Sequence, residues 1–211
     1  MIFYNKYLKR FLDCIFASLS ILLLSPLILC ISFLIKIKLG SPILFVQKRP
    51  GINGVCFNLY KFRSMKNNNS NKKDYHSNEQ RLTKFGSKLR KLSLDELPTL
   101  INVIKGDMSV VGPRPLRLRY LPYFNSKQKI RFNIRPGITG YAQVNGRSNI
   151  DWNQKLEFDC YYVENQSLYL DIKIVIKTFF QVIIAKDVRP RESNFEVPFD
   201  EYILNKKNDS K

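Results

Sequence analysis

Cys14–Ile35 reads CIFASLSILLLSPLILCISFLI, 22 residues without a charge, interrupted in the middle by Ser25-Pro26. As one helix it would run to about 33 Å, close to the roughly 30 Å hydrocarbon core of a bilayer. Lys6, Lys9 and Arg10 stand before it, and Lys36, Lys38, Lys48 and Arg49 follow it. Short flanks rich in Lys and Arg tend to stay in the cytoplasm, and here both flanks are of that kind. Pro26 has no N–H, and its ring clashes with the carbonyl of Leu22. In lipid a freed carbonyl is costly unless another group satisfies it. The Ser25 hydroxyl can help, by bending the chain so that both ends return to one face. From these residues alone three readings stand: a proline-kinked spanning helix, a re-entrant helix, and a cleaved signal peptide. The signal peptide fits least, because the run ends at Lys36 without a small-residue cleavage site.

The 211 residues fit one domain plus this anchor. Roughly 175 residues remain outside it, enough for a proper core. The net charge of +18 points to nucleic acid, an anionic membrane surface or a phosphorylated substrate. Beside an anchor, basic residues near the leaflet contribute about 1 kcal/mol each. Membrane electrostatics thus accounts for much of the charge, but not for where several arginines sit. Cys14, Cys30, Cys56 and Cys160 lack any C-x-x-C spacing, so neither a zinc site nor a disulfide framework follows, and the compartment reads as reducing. The only histidine, His76, lies in a polar Asn- and Lys-rich stretch and reads as solvated. Ser–His and Cys–His nucleophile pairs have little to work with. An enzyme with this composition must use carboxylates, lysines and a bound metal.

After the anchor, Ile43 to Lys48 and Val55 to Arg63 form a β-hairpin pattern around Pro50-Gly51 and Asn53-Gly54. Alternation puts Val55, Phe57, Leu59, Lys61 and Arg63 on one face, so Lys61 and Arg63 are expected to project together. Lys66 to Lys73 is a polar loop. A short basic helix is expected around Leu82 to Leu92. A second, ending at Gly106, opens at Ser93-Leu94-Asp95-Glu96, a capping-box signature with either Ser93 or Asp95 as the cap. Gly106 to Pro115 reads as irregular, Leu116 to Ile134 as broken helix, and Arg135 to Gly140 as a turn-rich loop. Asp151 is expected to cap a helix through Val163. In the next helix, Leu168 to Ile184, the stripe Ile172, Val175, Ile176, Phe179 and Ile183 is expected to face the core rather than a membrane. The last dozen residues read as a disordered tail.

Asp95-Glu96 is the most reactive-looking pair. At a helix N-terminus the dipole favours the ionised form. An ionised Asp can attack phosphorus while its neighbour holds a metal or moves a proton. By itself such a pair most often only caps a helix. The cations in constrained backbone change that weighting: Lys61, Arg63, Arg90, Arg114, Arg135 and Arg147. Arginine binds phosphate through two parallel hydrogen bonds, and proline on each side of Arg114 reduces the entropy lost on binding. Gly112, Gly137, Gly140 and Gly146 allow backbone N–H groups to approach an anion. A nucleophilic carboxylate among fixed cations suits phosphoryl transfer. The chain has no Walker motif and no G-x-G-x-x-G.

Five motifs occur in order: Ser25-Pro26, YKFRSM (Tyr60–Met65), SLDELP (Ser93–Pro98), GDMSVVGPRP (Gly106–Pro115) and RPGITGYAQVNGR (Arg135–Arg147). Together they resemble the bacterial sugar transferases, and more narrowly their small monotopic form, the polyprenyl-phosphate phosphoglycosyl transferases. The resemblance runs from about Lys6 to Ile184. It implies an α+β, mainly helical fold: residues 1–40 a re-entrant membrane helix-break-helix turning at Ser25 and Pro26, residues 41–190 one small cytosolic catalytic domain with a β-hairpin, and residues 191–211 a tail. It implies transfer of a sugar-1-phosphate from a UDP-sugar to undecaprenyl phosphate at the cytoplasmic leaflet of the inner membrane. Asp95 would be the nucleophile, Glu96 its partner, and both would hold Mg²⁺. Arg114 and Arg147 would contact the donor phosphates, followed by Lys61, Arg63, Arg90 and Arg135, with Asp159 supporting the site from a later helix. A homodimer is left open. The alternatives are a membrane-tethered nucleic-acid-binding protein, for which no recognition helix, RNP-like strand or stacking platform is found, and an inactive basic scaffold.

Overall fold

The computed structural model describes residues 4–66, 81–146, 150–184 and 197–208. A π-helical turn, Tyr4–Leu8, leads into α1, Lys9–Leu39. Helix α1 runs through Pro26, so Ser25-Pro26 lies inside one helix instead of between two. The lost N–H is locally repaired: Ser25 Oγ donates to Leu22 O at 2.8 Å. The carbonyl freed by the proline ring is the one the serine takes.

One face of α1 packs on the rest of the molecule, with Lys9, Asp13, Ala17, Ile31 and Ile35 buried at helical spacing. Ala17 joins the main core with Leu59, Leu100 and Val103, whereas Ile31 and Ile35 join a second cluster with Phe62 and Leu89. The opposite face is bare and apolar, most of all beside the proline, where Leu22 and Leu23 are 72% and 80% exposed. The flanking charges are not simply solvated. Lys9 Nζ is buried 2.6 Å from Asp171 Oδ2, which also accepts from Tyr4 OH, while Tyr162 OH donates to Asp171 Oδ1. Asp13 accepts from Ser109 Oγ and Val110 N. Arg10 donates to the carbonyls of Val103 and Ile104.

The hairpin forms as expected: β1 (Leu44–Pro50) pairs antiparallel with β2 (Cys56–Phe62), Phe45 opposite Lys61 and Arg49 opposite Phe57. Helix α2 (Lys84–Lys91) is capped by Thr83, whose side chain accepts from Gly86 N. The expected capping box is not made. Ser93 adopts a left-handed φ of 56° with no side-chain cap, Leu94–Glu96 forms a 3₁₀ turn, and α3 (Thr99–Lys105) begins after Pro98. Two other segments read as irregular hold strands: β3 (Ser109–Val111) pairs parallel with β4 (Gly137–Thr139). Between them Leu118–Tyr123 and Gln128–Phe132 are 3₁₀ turns. Helix α4 (Tyr141–Val144) follows, then α5 (Trp152–Glu164), where Asp151 accepts from Gln154 N as predicted.

Helix α6 (Leu168–Ile184) keeps its expected span but turns most of the expected stripe outward, with only Val175 among the stripe's described side chains packed against the core. Leu170, Asp171 and Ile174 are buried, whereas Ile172, Ile176 and Phe179 are exposed. The polar Asp171 lies on the inner face because Lys9, Tyr4 and Tyr162 satisfy it there. The last dozen residues are not a tail throughout. Helix α7 (Phe199–Asn208) docks by Phe199, which is buried among Tyr120, Phe124 and Trp152.

Candidate active site

The site is assembled where β2, the 3₁₀ turn before α3 and the loop after β3 meet. Asn102, buried on α3, fixes the hairpin: its Oδ1 accepts from Tyr60 N at 3.0 Å and its Nδ2 donates to Asn58 O at 2.7 Å. Thr99 Oγ1 donates to Tyr60 O at 3.1 Å. These bonds set Lys61, the next residue of β2, against the turn that carries the carboxylates. Neither Asn102 nor Thr99 belongs to the site residues read from the sequence. The signal for them was a polar pair set among Leu100, Ile101 and Val103.

Glu96 Oε1 accepts from Lys61 Nζ at 2.6 Å and from Arg114 NH2 at 2.7 Å. Burial by itself would raise the Glu96 pKa, but the Arg114 and Lys61 charges outweigh it and hold the carboxyl at about 2. Asp95 behaves in the opposite way. Among the described residues its carboxylate makes no hydrogen bond and no ion pair. Burial and the neighbouring Glu96 raise its pKa, against the pull of Lys61, Arg90 and Arg114. The expectation that a helix dipole favours ionised Asp95 is therefore corrected: the pair lies in a 3₁₀ turn before α3, and burial followed by Glu96 sets the direction.

Arg114, with its side chain 47% exposed, is held through its backbone. Arg131 NH2 donates both to Arg114 O and to Asp159 Oδ2, each at 2.8 Å. The Arg131 guanidinium also lies over the Phe124 ring, 5.3 Å from its centroid. Asp159 is thus buried behind the arginine loop and reaches the site through Arg131, not by facing the cavity. Burial pushes its carboxyl up to about 6, with Arg131 opposing. Glycine serves close packing here. A Cβ on Gly137 would stand 2.1 Å from Gly112 N, and one on Gly112 would stand 2.5 Å from Arg135 O. The N–H groups of Gly112 and Gly137 are spent on Thr139 O and Pro113 O, not left open for an anion.

The remaining predicted cations divide. Arg90 Nε donates to Ser64 Oγ at 2.6 Å, and its charge acts on Asp95. Arg63 does not project with Lys61. It lies past the end of β2, buried, and donates to the carbonyls of Leu39, Gly40 and Ser41 at the end of α1. Arg135 Nε donates to Gly106 O, just after α3. Arg147 and His76 lie outside the described residues. A cavity of about 40 Å³ opens beside Lys61, Glu96 and Arg114, with Arg49, Thr99 and Gly137 also in its wall. Arg49 is absent from the predicted site because its position beside the anchor made it read as a flanking charge.

Two cations fixed on one carboxylate, beside a second carboxylate that has no partner among the described residues, suit chemistry on a phosphoryl group. Residues 4–185 match the family described as bacterial sugar transferase. The chain belongs to the bacterial sugar transferase family. It is 46% identical over 182 residues to the uncharacterized sugar transferase EpsL of Bacillus subtilis, covering 86% of this chain and 90% of that protein. It is 40% identical over 192 residues to the UDP-glucose:undecaprenyl-phosphate glucose-1-phosphate transferase of Escherichia coli, covering 86% of this chain and 41% of the relative. It is 39% identical over 191 residues to the UDP-N-acetylgalactosamine-undecaprenyl-phosphate N-acetylgalactosaminephosphotransferase of Aeromonas hydrophila, covering 87% and 45%. This sugar transferase thus spans less than half the length of those last two relatives.

Proposed function

We propose that the chain transfers a sugar-1-phosphate from a UDP-sugar to undecaprenyl phosphate, releasing UMP, as the first membrane step of bacterial glycan assembly. The observation that carries this reading is the division of labour within Asp95-Glu96. Glu96 is clamped by Lys61 and Arg114, and Asp95 is left without a partner among the described residues. A carboxylate free to attack, beside cations already fixed in place, matches a reaction in which positioning and charge neutralisation do most of the catalysis.

In this reading an Asp95 carboxylate oxygen attacks the β-phosphorus of the donor. The bond from that phosphorus to the bridging oxygen breaks, and UMP leaves with the electron pair. The resulting aspartyl phosphosugar is attacked by a phosphate oxygen of the lipid, which yields the polyprenyl diphosphosugar and frees the Asp95 carboxylate. Lys61 and Arg114 hold Glu96 and neutralise charge on the phosphates. The chemistry of the donor set fits Mg²⁺, which commonly takes one or two carboxylates together with substrate phosphates and water. Asp95 and the second oxygen of Glu96 would hold it, and it would supply charge neutralisation at the diphosphate.

We further infer that α1 is re-entrant, with both of its ends on the cytoplasmic side of the inner membrane. Support comes from its two ends being tied to the catalytic body, Arg10 to the carbonyls of α3 and the end of α1 to Arg63. The most exposed apolar side chains lie between them, around Pro26. The test of the activity is UMP release from a panel of UDP-sugars, with undecaprenyl phosphate and Mg²⁺, by the wild type and by Asp95→Asn. Release that depends on Asp95 supports the reading, and substantial turnover by Asp95→Asn overturns the nucleophilic role. Labelling by an impermeant reagent in intact cells, at a single cysteine placed near Tyr4, would contradict the topology.

A further inference from the structure

The hairpin carries a cation that this mechanism does not use. Directly opposed residues of an antiparallel pair share a face. With Arg49 opposite Phe57, Gln47 opposite Leu59 and Phe45 opposite Lys61, Arg49 and Lys61 therefore lie on the same side of the hairpin. That side walls the cavity that Glu96 and Arg114 also line.

Charge there is unevenly compensated. Lys61 and Arg114 share Glu96, but among the described residues no carboxylate pairs with Arg49. Its NH2 donates to the neutral amide oxygen of Gln47 at 2.7 Å, and its Nε is buried without an acceptor. Burial, followed by repulsion from Arg114 and Arg117, pushes its pKa down to about 10. A partly buried guanidinium facing like charges, with an unused donor, is unfavourable unless an anion completes it. A planar fork with free N–H groups suits the oxygens of a phosphate.

We propose that Arg49 is a phosphate-binding residue, which with Lys61 and Arg114 forms a three-cation cradle on the cavity wall for a phosphate or diphosphate group. The identity of that ligand rests on the transferase reading, whereas the anion chemistry does not. Within that reading two ligands carry such a group: the nucleoside diphosphate donor and the lipid phosphate.

The experiment uses the full chain as wild type, Arg49→Gln and Arg49→Lys. Inorganic pyrophosphate is the first probe, titrated while thermal unfolding is followed. The wild type is expected to gain stability, and Arg49→Gln to bind about tenfold or more weakly, with Arg49→Lys between them. The second readout is KM for the UDP-sugar and for undecaprenyl phosphate. A rise for the UDP-sugar alone assigns the cradle to the donor, a rise for the lipid alone assigns it to the acceptor, and a rise in both assigns it to the two in turn. A wild type that pyrophosphate does not stabilise overturns the proposal, as does unchanged pyrophosphate affinity in both variants. If Arg49→Gln does not fold, Arg49→Lys decides: weakened binding supports the cradle, and wild-type affinity and KM values reject it. Should the wild type release no UMP from any donor, the transferase reading fails while the pyrophosphate result still judges Arg49.

Discussion

Lys61 Nζ lies 2.6 Å from Glu96 Oε1, an ion pair that joins the end of β2 to the motif bearing the reactive carboxylates. The pair immobilises one carboxylate of Asp95-Glu96 and leaves its neighbour open. Removing Lys61 leaves Glu96 with Arg114 alone, on a side chain that is half exposed, and takes one fixed cation out of the site. Lys61→Met should therefore lower turnover by about 100-fold or more, the scale of losing one preorganised electrostatic contact. Initial rates of UMP release, compared with far-UV circular dichroism of the same preparation, check this. Near-wild-type turnover would show that the clamp on Glu96 is dispensable.

The pH dependence should follow Asp95. Its carboxyl must be ionised to attack, and burial and Glu96 raise it above the ordinary 3.8. As pH falls, activity should therefore fade at a higher pH than an unperturbed aspartate would give. Glu96, held at about 2, should not contribute to that limb. Arg90 pulls the Asp95 pKa down, so Arg90→Gln should move the acid limb of kcat upward in pH. A limb that stays in place would remove Arg90 from the electrostatics of the nucleophile.

Arg63 should prove structural. Its bonds to carbonyls at the end of α1 predict that Arg63→Ala costs about 2 kcal/mol, the usual scale for hydrogen bonds made by a charged group. The KM for the UDP-sugar should remain within about twofold, since binding energy lost elsewhere does not enter it. Denaturant or thermal unfolding beside donor kinetics separates the two effects.

This is also where sequence and structure part company. Alternation correctly paired the hairpin strands, because a strand's period fixes which side chains share a face. It failed at Arg63, one residue past the end of β2, where contact with α1 sets the direction instead. The β3–β4 pair escaped notice because each strand has three residues, too few for a period, and the partners lie far apart in the chain. For α6 the apolar stripe was legible but its direction was not. The buried side is chosen by Asp171, whose partners Lys9 and Tyr4 come from the other end of the chain. The order of the motifs pointed to Asp95, Glu96, Lys61 and Arg114 together, but that Glu96 is clamped while Asp95 has no partner among the described residues is a matter of tertiary geometry.

The network that seats α1 gives a further test. Lys9 and Asp171 are buried 2.6 Å apart. Lys9→Met should destabilise the protein by about 3–5 kcal/mol, the scale for stranding one member of a buried pair. Unfolding in detergent measures it. A loss below about 1 kcal/mol, typical of a solvated pair, would mean that Lys9 acts only as a flanking charge.

The central claim is that Asp95 becomes covalently bonded to the phosphosugar. Its most direct measurement is intact-protein and peptide mass spectrometry after incubation with a UDP-sugar that supports turnover, with no lipid acceptor present. The account predicts a phosphosugar adduct on the peptide containing Asp95, absent from Asp95→Asn and discharged when undecaprenyl phosphate is added. An adduct on another residue, or none while turnover with acceptor proceeds, would contradict it.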